Sequence, residues 1–220
     1  MFEQFTEPAI ANFNQTMCLK FPFCSRERLY GLIYKGEVFE QMVQHPTVMA
    51  IAEAILGVDM TLSGFSAHIL QPGASCMGYP YFSLPQPYPA SPVLEIQAIW
   101  MLEDFIETNG APMFAPGSQA FCHFPDPAKF QLLAKIVMGK AGSVVLSHGL
   151  CWHDTLPNTS QQPRVSVLGN YNPKIIRPLE DLTKGQQSAF MNRATLTLKQ
   201  LLGYDVLRAL LNDVTKLRSH

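Results

Sequence analysis

The first part of the chain has apolar residues at the spacing of amphipathic helices. Within Glu37–Val43 and Pro46–Leu56, apolar positions recur three and four residues apart, which places them on one face of a helix. Pro46 suits the first turn of the second segment, and Gly57 suits the position just beyond its end. The pattern therefore predicts two consecutive helices.

A helical pattern returns near the end of the chain. It begins after Pro178 and runs from Phe190 to Leu202, then from Val206 to Leu217. We therefore predict helical regions at residues 1–60 and 179–220.

The region between them, residues 61–178, carries short runs that are typical of β-strands. These runs are rich in β-branched and aromatic residues and are separated by Gly, Pro and Asn. They are Leu62–Leu70, Leu94–Leu102, Pro112–Ala115, Ser143–Leu146 and Arg164–Tyr171. Strands enclosed by helical ends predict an α+β fold, and we expect a cupin-like jelly roll, the double-stranded β-helix, with flanking helices.

One helix is predicted to interrupt the strands. Asp126 can cap its start, and Pro127 fits its first turn. The apolar residues expected on its buried face are Phe130, Leu132, Leu133 and Ile136.

Composition limits the class of protein and the kinds of partner. The 220 residues are 47% hydrophobic, enough for one core, so we predict one domain over residues 1–220. The 16 basic and 17 acidic residues form no run of one sign, which argues against nucleic acid or an anionic membrane as a partner. Neither a leader pattern nor a membrane-spanning run is found. The five cysteines are scattered without a Cys-x-x-Cys pair, which favours a reducing, cytoplasmic location.

The most informative segment for chemistry runs from Gly142 to His153 and is followed by Asn158-Thr-Ser and by Arg164. A histidine at the end of one strand and an arginine at the start of the next can both point into the mouth of a barrel. The planar guanidinium can then bind a carboxylate through two hydrogen bonds, beside whatever the imidazole binds. His153 and Arg164 are therefore candidate site residues.

Taken in order along the chain, these segments resemble the phytanoyl-CoA dioxygenase family of iron(II)- and 2-oxoglutarate-dependent oxygenases. The resemblance is to members that oxidise fungal meroterpenoid intermediates, and it extends from Arg28 to Tyr171. It implies that His153 binds iron and that Arg164 binds the distal carboxylate of 2-oxoglutarate. The matching motifs include His45-Pro46, Leu56-Gly57, Pro72-Gly73, Tyr79-Pro80-Tyr81, Trp100–Phe105 and Pro116-Gly117-Ser118.

The sequence departs from that family at two metal ligands. Where the family has His-x-Asp, this chain has Cys76-Met77-Gly78. The iron site of such enzymes needs two imidazoles and one carboxylate on one face of an octahedron. Cys76 and Gly78 leave His153 as the single retained ligand, so we expect no cofactor to be bound by the chain alone. Fe(II) and 2-oxoglutarate remain the alternative.

The resemblance also leads to a prediction about partners. The leading helical segment of family members is missing, which would leave an apolar flank on the first helices and the C-terminal pair. Exposed apolar surface of this kind marks interfaces. We therefore expect an auxiliary subunit without catalysis of its own, which forms a heterodimer with a complete homologous oxygenase or a homodimer.

Two other functions stay open. The chain is an active dioxygenase if His68 or Asp154 supplies the lost ligands. It is a metal-free cyclase or isomerase if His153, Asp154 and Tyr79 carry out acid–base chemistry. In the simplest structural interpretation, His153 is a core histidine, Arg164 pairs with Asp154 or Glu103, and Cys76 is a small buried hydrophobe.

Large apolar residues near these motifs predict a pocket. Phe82, Trp100, Phe114 and Trp152 are its expected lining. Such a pocket suits an apolar small molecule such as a terpenoid.

Overall fold

The computed structural model describes residues 18–20, 26–74, 87, 91–184 and 188–204. Cys76, Gly78, Phe82 and the helix predicted from Val206 to Leu217 lie outside the described residues.

The two predicted N-terminal helices are confirmed, with α1 at Glu37–Val43 and α2 at Pro46–Leu56. Pro46 occupies the first turn of α2. Gly57 has a φ of 95° and donates its N–H to the carbonyl of Glu53, which ends the helix in a conformation that favours glycine.

The prediction that residues 1–60 are purely helical was wrong. Two short strands precede α1, β1 at Cys18–Lys20 and β2 at Arg26–Leu29. β2 pairs antiparallel with the end of β3, the strand Thr61–Leu70. The hydrogen-bonding edge of a long strand therefore decided the conformation of this segment, which has little periodicity of its own.

The inserted helix, α3, spans Pro127–Leu133 and begins as predicted, since the Asp126 carboxylate accepts the N–H of Lys129 at 3.0 Å. The prediction of its buried face was only partly right. Phe130 is buried, but Leu132 is 82% exposed. Ile136 lies beyond the helix in the short strand β6, Lys135–Ile136.

The helix predicted from Phe190 to Leu202 is two helices in the structure, α4 at Ser188–Arg193 and α5 at Leu196–Leu201. The break falls at Thr195, whose hydroxyl accepts the N–H of Leu198 at 3.0 Å. A threonine that caps a helix start competes with continuation of the preceding helix.

The strands form two antiparallel sheets. The further strands are β4 (Ile96–Met101), β5 (Pro112–Phe114), β7 (Val144–His148), β8 (His153–Thr155) and β9 (Arg164–Asn172). The larger sheet has the order β1-β2-β3-β9-β4-β7, and the smaller has the order β6-β5-β8. The chain therefore has a mixed α/β fold built on antiparallel sheets.

Strand alternation gives the larger sheet two different faces. Phe65, Trp100 and Val167 belong to the core that this sheet shares with the helices; we call this its outer face. Ile99 and Leu168 point the other way, in a cluster with residues of the smaller sheet; we call this its inner face. The space between the two sheets is therefore bounded by the inner face.

A third apolar cluster lies on the far side of the smaller sheet. It consists of Ala115, Phe130 and Trp152, with parts of the inserted segment packed around them. Among the described helices, none has both the length and the apolar composition needed to cross a lipid bilayer.

Candidate functional site

His153 is the first residue of β8 and pairs with Phe114 of β5. The sequence had suggested that His153 ends a strand. In the structure the preceding strand ends at His148, and His153 begins the next one. The side chain shares the inner side of the smaller sheet with Phe114, whose ring centroid is 5.4 Å from that of the imidazole. Strand pairing therefore directs His153 into the space between the sheets.

The hydrogen bond of His153 determines its tautomer. Its Nδ1 lies 2.9 Å from the carbonyl oxygen of Cys151, and since a carbonyl can only accept, Nδ1 carries the proton. Burial lowers the pKa of His153, against smaller opposing effects of this hydrogen bond and of Asp154. The imidazole is therefore neutral with its lone pair on Nε2, and a backbone carbonyl holding the other nitrogen is the arrangement typical of metal-binding histidines.

Arg164 is the first residue of β9 and is only 5% exposed. It pairs with Leu70 across the sheet, and its guanidinium carbon lies 4.5 Å from the centroid of the Phe105 ring. Arg164 interacts electrostatically with Glu103. Burial raises the pKa of Glu103, while the hydrogen bond from Val165 and the charge of Arg164 oppose that rise. The Glu103 carboxylate accepts the N–H of Val165 at 2.5 Å, so it is held beside the start of β9.

Asn158 connects the segments around this site, a role that the sequence did not reveal. Its Nδ2 donates to the carbonyls of Leu70, at 2.9 Å, and Gln162, at 2.8 Å. Its own carbonyl accepts the N–H of Gly73 at 2.8 Å, and its N–H donates to the carbonyl of Ala74 at 2.9 Å. The backbone of Asn158 binds the segment after β3, and its buried side chain ties the end of β3 to the loop that leads to Arg164. The signal was an asparagine between two strands, which also suits an ordinary turn.

The described residues do not complete an iron site. No group of three His, Cys, Asp or Glu side chains among them is arranged to hold a metal ion. Asp154 follows His153 directly in β8, so its side chain points to the opposite face. His68 lies on the inner face beside Ser66, with 3.2 Å between His68 Nε2 and Ser66 Oγ. Neither alternative ligand is brought into a triad with His153 by the residues that the structure describes.

The predicted pocket lining requires a correction at both tryptophans. Trp100 lies on the outer face of the larger sheet, edge-on to Phe65 with 6.0 Å between ring centroids. Trp152 packs under the inserted helix, with its Nε1 donating to the carbonyl of His123 at 3.2 Å. Trp100 follows Ile99 along β4, and Trp152 directly precedes His153 at the start of β8. Because neighbouring side chains point to opposite faces, both tryptophans point away from the space between the sheets. Phe114 points into that space.

Comparison with known proteins places these features in a family context. The family model for phytanoyl-CoA dioxygenase matches residues 25–166. A curated relative, "Dioxygenase af480" of Aspergillus fumigatus, is 29% identical over 178 residues, which cover 80% of this chain and 58% of that protein. The chain thus spans less than two thirds of this relative's length.

Solved structures show a similar fold at low sequence identity. The epimerase SnoN from nogalamycin biosynthesis, in complex with Fe3+, alpha ketoglutarate and nogalamycin RO, has a TM-score of 0.69 at 16% identity, over 85% of this chain and 82% of its own. HygX from Streptomyces hygroscopicus, with nickel, 2-oxoglutarate and hygromycin B bound, has a TM-score of 0.61 at 12% identity, over 80% of both chains. At such identities the likeness concerns the fold.

Proposed function

We propose that this chain, which belongs to the phytanoyl-CoA dioxygenase family, is a non-catalytic auxiliary subunit of an iron(II)- and 2-oxoglutarate-dependent oxygenase. The observation that carries this proposal is the sequence Cys76-Met77-Gly78, where the resemblance to the family places its first two iron ligands. Glycine has no side chain that can bind a metal. A single imidazole cannot hold ferrous iron with open positions for a cosubstrate and oxygen, so the residues present do not fit the iron of the family.

The remaining half of the site supports descent from an active enzyme. His153 has a neutral imidazole with Nδ1 held by the Cys151 carbonyl, and Arg164 is buried on the ring of Phe105. These two residues stand where the family's distal ligand and its cosubstrate arginine are expected. An auxiliary subunit would need to retain this scaffold even with an incomplete ligand set, because it must fold stably and present a surface that binds its partner.

The proposed partner is a homologous oxygenase with a complete ligand set, and the proposed contact surface is a strip on α2. Ile51, Ile55 and Val58 are 40%, 45% and 69% exposed, and their spacing puts them on one side of the helix and its C-terminal extension. The opposite side of α2 packs in the core against the larger sheet and the C-terminal helices. Within the described residues, the apolar flank expected from the sequence corresponds to this strip and to Leu196 at the start of α5, which is 57% exposed.

We also propose the finer features suggested by the sequence. These are a jelly-roll connection of the two sheets, a cytoplasmic location, and participation in the oxidative tailoring of a terpenoid secondary metabolite. The antiparallel sheets and the enzymes of similar fold support the first of these.

The test begins with the chain alone. Purified protein is supplied with Fe(II), 2-oxoglutarate and ascorbate, and succinate is quantified together with bound metal. We expect succinate at the level of a protein-free control and no stoichiometric iron. The chain is then coexpressed with a family member from the same organism that retains His-x-Asp, and the molar mass of the purified material is measured by light scattering. A stable heterodimer with increased oxygenase activity is the expected result.

The opposite results favour a different function. Stoichiometric iron that is lost in His153→Ala, together with rapid succinate formation by the chain alone, would identify an active dioxygenase with substituted ligands and overturn the auxiliary role. The metal-free cyclase alternative is weakened by the geometry of β8. Asp154 and His153 point to opposite faces of that strand, so they do not form one acid–base pair.

A further inference from the structure

The inner face of the larger sheet carries different kinds of residues at the two ends of β9. Arg164 begins this strand and Asn172 ends it, so the two ends are about 26 Å apart. The candidate site described above lies at the Arg164 end. At the Asn172 end is a set of polar residues, which we call the distal floor: Thr61, Glu95, Gln97, Asn170 and Asn172.

Sheet register brings these residues together. Thr61 is paired with Asn172 across β3 and β9, and Gln97 is paired with Asn170 across β4 and β9. Glu95 immediately precedes β4, whose first residue pairs with Tyr171, so Glu95 lies next to Asn172. Ile96 and Tyr171 point into the core beside the helices. Their neighbours along each strand therefore point to the inner face.

Two side chains of the distal floor have unmet hydrogen-bonding atoms. Thr61 and Asn172 are each 4% exposed, yet Thr61 Oγ1 and Asn172 Oδ1 are buried without a hydrogen-bond partner. Ser147, which is paired with Gln97, has a hydroxyl in the same condition. A buried polar atom without a partner is costly. Unmet atoms side by side on neighbouring strands therefore indicate a place where a polar group binds.

Two carboxylates determine which polar group suits this place. Glu95 is 5% exposed and accepts a hydrogen bond from Asn170 Nδ2 at 2.9 Å; burial raises its pKa. Glu180 lies along the edge of β3 beside Gly64, where its Oε1 accepts the N–H of Phe65 at 2.7 Å. Carboxylate and amide oxygens accept hydrogen bonds and repel anions. The unmet hydroxyls of Thr61 and Ser147 can also donate, so the floor suits a neutral group that both donates and accepts, such as a hydroxyl.

The surroundings add an apolar wall and an opening. Ile99, Val145 and Leu168 continue the inner face toward Arg164 and belong to the cluster between the sheets. Gln97, Asn170 and Leu168 are half-buried although they face the smaller sheet, so solvent reaches the space above them. A ligand here would place an apolar body on this wall and its polar end on the floor.

We propose that the distal floor binds an uncharged, largely apolar molecule through a hydroxyl group that donates hydrogen bonds to it. This binding requires neither a metal nor a partner subunit, so it goes beyond the auxiliary role and stands or falls separately from it.

The experiment uses the full chain without metal and a matched set of fused-ring probes. These are 2-decalol, which donates a hydrogen bond; 2-decalone, which only accepts one; decalin, which does neither; and decalin-2-carboxylate. Saturation-transfer NMR detects binding, and equilibrium dialysis gives each Kd. We expect 2-decalol to bind at least about fivefold more tightly than 2-decalone or decalin, the worth of about one hydrogen bond, and the carboxylate to bind most weakly.

Two nearly isosteric variants test the residues named. Thr61→Val removes the hydroxyl and should weaken 2-decalol binding about fivefold while decalin binding is unchanged. Glu95→Gln removes a charge and should strengthen carboxylate binding relative to 2-decalol. The control is Thr159→Val, since Thr159 lies in an exposed loop where its hydroxyl donates to the Thr108 carbonyl; it should change no Kd. Circular dichroism and thermal melting establish that each variant is folded.

Three results would overturn the proposal. The first is no saturable binding of 2-decalol by the folded chain at millimolar concentration, as expected if ordered water alone satisfies the floor. The second is equal affinity for 2-decalol and decalin. The third is an equal effect of Thr61→Val on both of these probes.

Discussion

The guanidinium of Arg164 stacks on the ring of Phe105, with its central carbon 4.5 Å from the ring centroid. Glu103, two residues before Phe105, accepts the N–H of Val165, the residue after Arg164. The segment that follows β4 is thus attached to the start of β9 by an aromatic contact and by a carboxylate. This attachment sets the position of a buried cation at one end of the space between the sheets.

We predict that Arg164→Lys destabilises the protein even though the charge is retained. An ammonium group lacks the flat face that packs on Phe105 and the planar fork that hydrogen-bonds in fixed directions. The expected decrease in the free energy of unfolding is about 1 kcal/mol, measured by urea denaturation. Arg177→Lys is the control, because Arg177 is exposed and the change should fall within about 0.5 kcal/mol. Equal effects at the two positions would show that the stacking contributes nothing.

A second prediction concerns the pH dependence of stability. Burial lowers the pKa of both His153 and His148 in the folded protein. The unfolded chain therefore takes up protons at a higher pH than the folded chain does, and folding stability must fall as the pH drops below about 6.5, the ordinary histidine value. The stability contribution is fully present above that pH and is lost as the pH falls through the lowered pKa.

The substitution His153→Asn tests this sign. An asparagine amide can still donate to the Cys151 carbonyl but does not titrate. Unfolding free energies measured at about pH 7.5 and about pH 5.5 should differ less in this variant than in the original protein. NMR of the imidazole nitrogens should also show the proton on Nδ1 at neutral pH. A proton on Nε2, or an unchanged pH dependence in the variant, would contradict the assigned tautomer and pKa direction.

The sequence was sufficient for much of the fold because local signals and tertiary packing agree there. Pro46 and Gly57 set the limits of α2, and the β-rich runs identified β3, β4 and β9 closely. It was insufficient for β2, which is a strand because β3 offers it an edge. It also missed the break at Thr195, where a capping side chain overrode the apolar periodicity.

The candidate site was predicted in part. His153 and Arg164 were assigned to consecutive strands, as the structure has them, and their roles toward metal and cosubstrate stay predictions. The tryptophans were assigned to the wrong side, because alternation along one strand says which residues share a face but not which face is inner. The inner face is decided only by the elements that pack against the sheet: Trp100 faces the helices, and Phe114 faces the larger sheet.

A third prediction concerns Asn158, whose side chain is almost fully buried. Asn158→Ala would remove the Nδ2 donor from the carbonyls of Leu70 and Gln162. Gln162 is exposed and its carbonyl keeps the hydroxyl of Ser160 as a donor, so the main cost falls on the carbonyl of the buried Leu70, at about 1–3 kcal/mol. We expect a loss of about 1–3 kcal/mol in the free energy of unfolding. Hydrogen exchange at the Gly73 amide, which donates to the Asn158 carbonyl, should also accelerate.

The matched control is Asn192→Ala, at an exposed position of α4. It should leave both stability and Gly73 exchange unchanged, because alanine is well tolerated on a helix surface. If Asn158→Ala lowers stability without affecting Gly73 exchange, Asn158 supports its own loop and not the connection to the end of β3.

The last prediction concerns the exposed strip of α2. Ile51→Glu combined with Ile55→Glu places two charges on a surface that the proposed heterodimer would bury, and buried unpaired charges are strongly unfavourable. Coexpression with the homologous oxygenase should then give separate monomers by light scattering. The chain itself should keep its thermal stability, because both side chains already have substantial exposure.

Leu132→Glu is the control: Leu132 is 82% exposed but lies on α3, so the complex should survive. Loss of the complex in both variants would indicate a general effect of added charge, and survival in both would remove α2 from the interface.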